Sequence, residues 1–118
     1  MTEKVLGFGG LFFRAKDPAA LAKWYADTLG VDLTPTDETT NPWEAAGGPT
    51  VFAPFAADTD YFGNPDQQFM VNFRVRDMAA MVAQLEAAGA RVEVQPDMPP
   101  IGKFTHAWDP EGNKFELW

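Results

Sequence analysis

Two stretches of this chain alternate strictly between apolar and polar residues. In Gln68–Arg76, Val71, Phe73 and Val75 fall on one side, and Met70, Asn72 and Arg74 on the other. In Lys114–Trp118, Phe115 and Leu117 oppose Lys114, Glu116 and Trp118. A period of two marks a half-buried strand. Asp109-Pro110-Glu111-Gly112-Asn113 precedes the second stretch. Pro presets the first corner of a turn, and Gly and Asn tolerate positive φ near its end. Phe104–Trp108 and Lys114–Trp118 therefore predict a closing β-hairpin. Arg91–Val94 predicts one more strand.

The period changes after two aspartates. Asp17-Pro18 combines an N-cap with Pro at the first helical position, and Leu21, Trp24, Tyr25 and Leu29 follow at helical spacing up to Gly30. Asp77 caps a second helix bearing Met78, Met81, Val82, Leu85 and Ala88, stopped by Gly89.

The first part of the chain gives weaker strand signals. Residues 5–16 predict a strand thinned by Gly at its start, with Leu11, Phe13 and Ala15 on one face and Gly10, Phe12 and Arg14 on the other. Val31–Thr34 begins another, and Trp43–Ala45 and Thr50–Ala53 predict two short strands around Gly47-Gly48-Pro49. Residues 35–42 are a polar loop. Residues 54–67 form the longest irregular stretch, too aromatic for a plain linker, and Tyr61 and Phe62 within it could close over a pocket.

An offset of 60 residues pairs Phe13 with Phe73, Arg14 with Arg74, Asp17 with Asp77, Ala19 with Ala79 and Ala20 with Ala80. Each pair has the same structural role. The chain thus predicts an α+β domain spanning 1–118, built of two tandem βαβββ modules at about 5–58 and 66–118. Side by side they would form a curved mixed sheet with both helices on its convex side. Leu11, Phe13, Val71, Phe73, Val75, Phe115 and Leu117 would face the helices. Phe12, Arg14, Met70, Asn72, Arg74 and Glu116 would line the concave side.

Composition narrows the function. The chain has 118 residues, 46% of them apolar, enough for one real core. No run of about 18 apolar residues is present, which predicts no membrane span. Met1-Thr2-Glu3-Lys4 leads straight into a strand-like run with no visible signal peptide, and there is no cysteine. Both fit a cytoplasmic protein without disulfides or thiol chemistry. A net charge of −8 argues against a nucleic-acid partner and suits a cationic ligand. There is no Ser and no nucleophile elbow, and Gly7-Phe8-Gly9-Gly10 lacks the spacing of a phosphate loop.

The pattern FFRAKDPAALAKWYADTLG, its echo NFRVRDMAAMVAQLEAAG and the ending DPEGNKFELW resemble the vicinal oxygen chelate superfamily. That group holds glyoxalase I, bleomycin-resistance proteins and extradiol dioxygenases. The resemblance implies the glyoxalase/bleomycin-resistance fold and a homodimer whose cups are completed by the partner chain. In the metal-dependent members a His or Gln on the first strand of each module, and a Glu on the last, hold the ion. The first-strand positions fall here at Gly10 and Met70, neither a usable ligand, and Val51–Ala53 offers no carboxylate. Only Glu116 matches, where about three or four protein ligands are needed. The resemblance thus implies no metal cofactor.

Glu116 is the leading candidate, as a cup-lining carboxylate that binds a cationic group or acts as a base. Its plain alternative is a solvated residue paired with Arg14 or Arg74. His106, the only histidine, is a candidate proton shuttle or an ordinary hydrogen-bonded side chain. Arg14 and Arg74 would clamp an anion or serve a shared structural need. Asn72 is unusual in mid-strand and suits a hydrogen bond to a ligand. Phe12, Trp43, Met70, Phe104, Trp108 and Trp118 would wall the cup, whereas Trp24 would pack. The leading reading is a metal-independent binder of a small hydrophobic or cationic molecule, as in the bleomycin-resistance branch. One alternative is a lyase, isomerase or dioxygenase with a divalent metal at Glu116. Another is a dimeric domain with a vestigial cup.

Overall fold

A computed structural model describes residues 3–118; the reading of Met1 and Thr2 lies outside them. Helix α1 (Pro18–Leu29) comes first. Strand β1 (Val71–Phe73), helix α2 (Met78–Ala87) and strands β2 (Val92–Val94), β3 (Thr105–Trp108) and β4 (Lys114–Leu117) follow. The strands form one mixed sheet in the order β1-β4-β3-β2, with β1 parallel to β4 and the rest antiparallel. Residues 71–117 thus realise one βαβββ unit.

Both helices begin and end where their sequence signals lie. The Asp17 and Asp77 carboxylates accept from the N–H groups of Ala20 and Ala80 at 3.1 and 3.0 Å. Gly30 leaves α1 in the left-handed region at φ 74°. The closing turn is held by Asp109, whose carboxylate accepts from Glu111 N, Asn113 N and Asn113 Nδ2 at 2.8–3.0 Å.

Register assigns the two faces. Val71, Phe115, Ala107 and Val92 form one row across the four strands, and Phe73, Leu117, Thr105 and Val94 another on the same side. Leu85 of α2 joins Ala107, Phe115 and Leu117 in the buried core, flanked by Trp24, Leu29, Val71, Phe73, Val75, Met78, Met81 and Val92. Helix α1 is drawn onto this core. Trp24 meets the Phe115 ring edge-on at 6.2 Å, and the Tyr25 hydroxyl donates to Asp109 at 2.7 Å. From the turn, Glu111 reaches back to accept from Lys16 N and Asp17 N, just ahead of α1. Those two N–H groups hold its carboxyl below the usual range.

The first half departs from expectation. No strand forms among residues 5–16, 31–34, 43–45 or 50–53, so two tandem modules in one curved sheet are not seen. Leu11 and Phe13, expected under the helices, are 49% and 52% exposed, and Phe12 is 94% exposed. None of these segments pairs with the sheet, although among the described residues the outer edge of β1 is open. Gly7, Gly9 and Gly10 pin no register, and prolines at 35, 42, 49 and 54 remove ladder donors. The Cα radius of gyration is 15.4 Å, against about 13.5 Å for a compact chain of this length. No helix among the described residues is long and apolar enough to cross a membrane.

Candidate functional site

The candidate polar side chains lie on the face of the sheet opposite the core. Register puts Asn72, Glu116, His106 and Glu93 in one row across β1, β4, β3 and β2. Glu116 and His106 are only 8% and 6% exposed. A carboxylate buried this far must be hydrogen-bonded or it would be strongly destabilising. Asn72 Nδ2 donates to Oε1 at 2.8 Å. The Tyr61 hydroxyl, arriving from the 54–67 loop, donates to Oε2 at 2.6 Å. His106 Nε2 lies 3.0 Å from the same oxygen and 3.1 Å from the Tyr61 hydroxyl. A carboxylate only accepts, so His106 meets it with Nε2–H as donor. Burial and then the hydrogen bond and charge of Glu116 push the Tyr61 phenol up to about 12, so it stays a neutral donor.

Aromatic groups flank this row on the same face. Phe104 and Trp118 stack at 6.1 Å, nearly parallel. At the other end the Arg91 guanidinium lies 3.7 Å from the Trp108 ring centre, a cation–π contact. Lys114 sits opposite Trp108 in the hairpin and donates from Nζ to the Tyr61 carbonyl at 2.6 Å. The carboxamide of Gln67 brackets the Lys114 backbone, donating to its carbonyl at 2.7 Å and accepting from its N–H at 2.8 Å. The 54–67 loop is thereby strapped across β4.

The expected residues divide into two groups. Glu116, His106 and Asn72 come together, with Phe104, Trp108 and Trp118 on the same face. Met70 lies half-buried just ahead of β1. Arg74 turns away from Glu116 and donates to the carbonyls of Pro49 and Ala46, both at 2.7 Å. It lies so close to Gly48 that a Cβ there would sit 2.7 Å from its Nε. Phe12, Arg14 and Trp43 are exposed in irregular segments and supply none of the hydrogen bonds at Glu116. Pairing of Glu116 with Arg14 or Arg74 is replaced by Tyr61, Asn72 and His106.

Two participants were not legible as such. Tyr61 reads as a loop residue able to cover a pocket, and nothing local names Glu116 as its partner 55 residues on. Gln67 carries no signal at all. The aromatic load of the loop was the one available hint.

The donor set does not fit a metal ion. Among the described residues, His106 and Glu116 are the metal-binding types that meet here, below the about three or four ligands an ion needs. Among the described residues no group of three or more His, Asp or Glu converges. The arrangement instead suits recognition. A carboxylate offers about four acceptor directions, and three donors occupy this one, so Oε1 can take another.

Comparison with known proteins places the geometry in context. Residues 10–118 match the glyoxalase-like domain family. TnmS3, an antibiotic binding protein from Streptomyces sp. CB03234, is similar in structure with a TM-score of 0.58 and 25% identity, covering 98% of this chain and 97% of that one. A glyoxalase/bleomycin resistance protein from the same organism gives a TM-score of 0.51 and 27% identity over 86% of this chain and 90% of its own. A glyoxalase family protein from Enterococcus faecalis is 26% identical with a TM-score of 0.40. That match spans 53% of this chain and only half, 50%, of the other. No curated protein matches the chain.

Proposed function

This chain belongs to the glyoxalase-like domain family, and on that premise we propose that it binds a small, partly apolar or cationic molecule on the face around Glu116 without a metal. One observation carries the reading: a nearly buried carboxylate in mid-sheet, ringed by donors, with Phe104, Trp118 and Trp108 on the same face of the sheet. Fixed polar groups among aromatic walls are what a binding cleft needs, and nothing further is required for sequestration. The antibiotic-binding neighbour supports the same class of role.

The site is completed by a second copy of the chain. Leu11, Phe12, Phe13, Val51 and Phe52 stay exposed in the first half, and β1 has no strand on its outer edge among the described residues. In this reading the halves at about 5–58 and 66–118 are modules that pair between protomers. Light scattering should give twice the chain mass, reverting to one chain in Phe12→Asp/Phe13→Asp. A monomer at every concentration removes the dimer.

The binding reading is tested by thermal shift with aromatic cations and neutral aromatic drugs. Ligands should raise Tm by mass action in the wild type and not in Glu116→Gln. Divalent metal at one ion per chain, lost in Glu116→Gln, would sink it, as would a panel without one hit.

A further inference from the structure

The group that covers the recognition point is itself chemically informative. Tyr61 places a neutral phenol O–H on Glu116 Oε2 at 2.6 Å. Its ring stands edge-on to His106 at 5.2 Å and 87°, and Phe55 packs against it at 5.5 Å. Lys114 Nζ lies 5.0 Å from its ring centre. With Phe55 belonging to the same loop as Tyr61, what the sheet itself offers is an acceptor for the hydroxyl, the His106 ring beside the aromatic ring and a cation near its face, which together make a binding site for a phenol. The phenol that fills it belongs to the chain.

The loop carrying it is built to come away. No residue between 54 and 67 is buried, and Tyr61 is 38% exposed. The tethers are polar: the Gln67 bracket on Lys114, the Lys114 ammonium on the Tyr61 carbonyl, and the Tyr61 hydroxyl itself. A segment with no buried residue, held to the sheet by a few polar tethers, opens locally at little cost.

We propose that the ligand is a hydroxyl-bearing aromatic molecule, bound as the neutral phenol, which takes the place of Tyr61 on Glu116 while the 54–67 loop swings clear. This rests on the reading of the Glu116 face as a binding site and names its ligand class. Two consequences follow from the chemistry. The ligand must donate, because Glu116 can only accept, so an ether or a phenolate loses the key contact. Tyr61 competes with the ligand, so apparent affinity is lowered by the fraction of time the loop stays closed.

Titration calorimetry near neutral pH on the full chain, with naphthol, its methyl ether and naphthyl-trimethylammonium, tests both. The methyl ether should bind about tenfold more weakly than naphthol, the equivalent of one hydrogen bond to a charged acceptor. Tyr61→Phe, which keeps the ring and removes the internal donor, should tighten naphthol binding about tenfold. In wild-type protein with carbon-13-labelled tyrosine, naphthol should shift the Tyr61 ring resonance and the ether should not, which needs no variant to fold. Equal binding of naphthol and ether, or no tightening in Tyr61→Phe, overturns the proposal. Binding of the ammonium compound without preference for naphthol over its ether also overturns the phenol class but keeps the binding site. Failure of all three probes removes both.

Discussion

Residues 13–20 and 73–80 share a pattern, Phe-Arg followed by a capping Asp and two alanines, yet they meet different fates. Phe73 lies in β1, paired with Leu117 and packed on the core. Phe13 is half exposed with no strand around it. The two helices that follow are equally well formed. The contrast separates two kinds of structure. A helix closes its hydrogen bonds within itself, so an N-cap and a stop are enough. A strand closes them on a neighbour, so the same alternation gives a sheet only where an edge is waiting. The second half makes its own edge, because the Asp109–Asn113 turn folds β4 onto β3. The first half has Gly47-Gly48-Pro49 instead, which Arg74 holds as an irregular loop.

The sharpest way to break this contrast is to remove one aromatic ring from each half. Phe115→Ala should cost about 3–5 kcal/mol in urea melts, since the ring is fully buried. Phe13→Ala should cost less than about 0.5 kcal/mol in dilute protein. Its cost should rise with concentration if a second copy covers the first half. Equal losses in dilute protein would mean that the halves are folded alike.

Tyr25→Phe tests the joint between α1 and the hairpin. Its hydroxyl is one of the donors on buried Asp109, so about 1–2 kcal/mol should be lost, while the turn keeps its three remaining bonds. Thr105→Val should act in the opposite direction. Thr105 stands in the core row, and its hydroxyl has no partner among the described residues, so a gain of about 1 kcal/mol is expected.

The gentlest probe is pH. Both tyrosines bind their proton more tightly when folded: Tyr25 through burial and then Asp109, Tyr61 up to about 12 through burial and then Glu116. Between the ordinary value of 10.0 and about 12 the native state retains protons that the unfolded chain has lost. Stability should therefore be intact below pH 10 and fall as pH rises through that window. Tyr61→Phe should leave the fall to Tyr25 alone. A native spectrophotometric titration with ordinary tyrosine ionisation would contradict the Glu116 contact.

Much of the second half was legible before any coordinates. Alternation in 68–76 and 114–118, the two Asp caps and the Pro-Glu-Gly-Asn turn each depend on residues a few places apart. The convergence of Asn72 and Glu116 on one face followed from strand period. Placing Tyr61 on Glu116 did not, nor did turning Arg74 toward Ala46 and Pro49.

Local order along the backbone, and the family that this order marks, were already written in the residues, because capping, turning and alternation act over one or two turns of chain. What the folded chain alone decided was which polar atom satisfies which. Glu116 needed donors once it was buried, and the path of a loop 55 residues earlier determined that a phenol supplies one of them. Likewise the alternation of Leu11, Phe13 and Ala15 pairs with no strand, and pairing is a property of the folded protein, not of any stretch of its sequence.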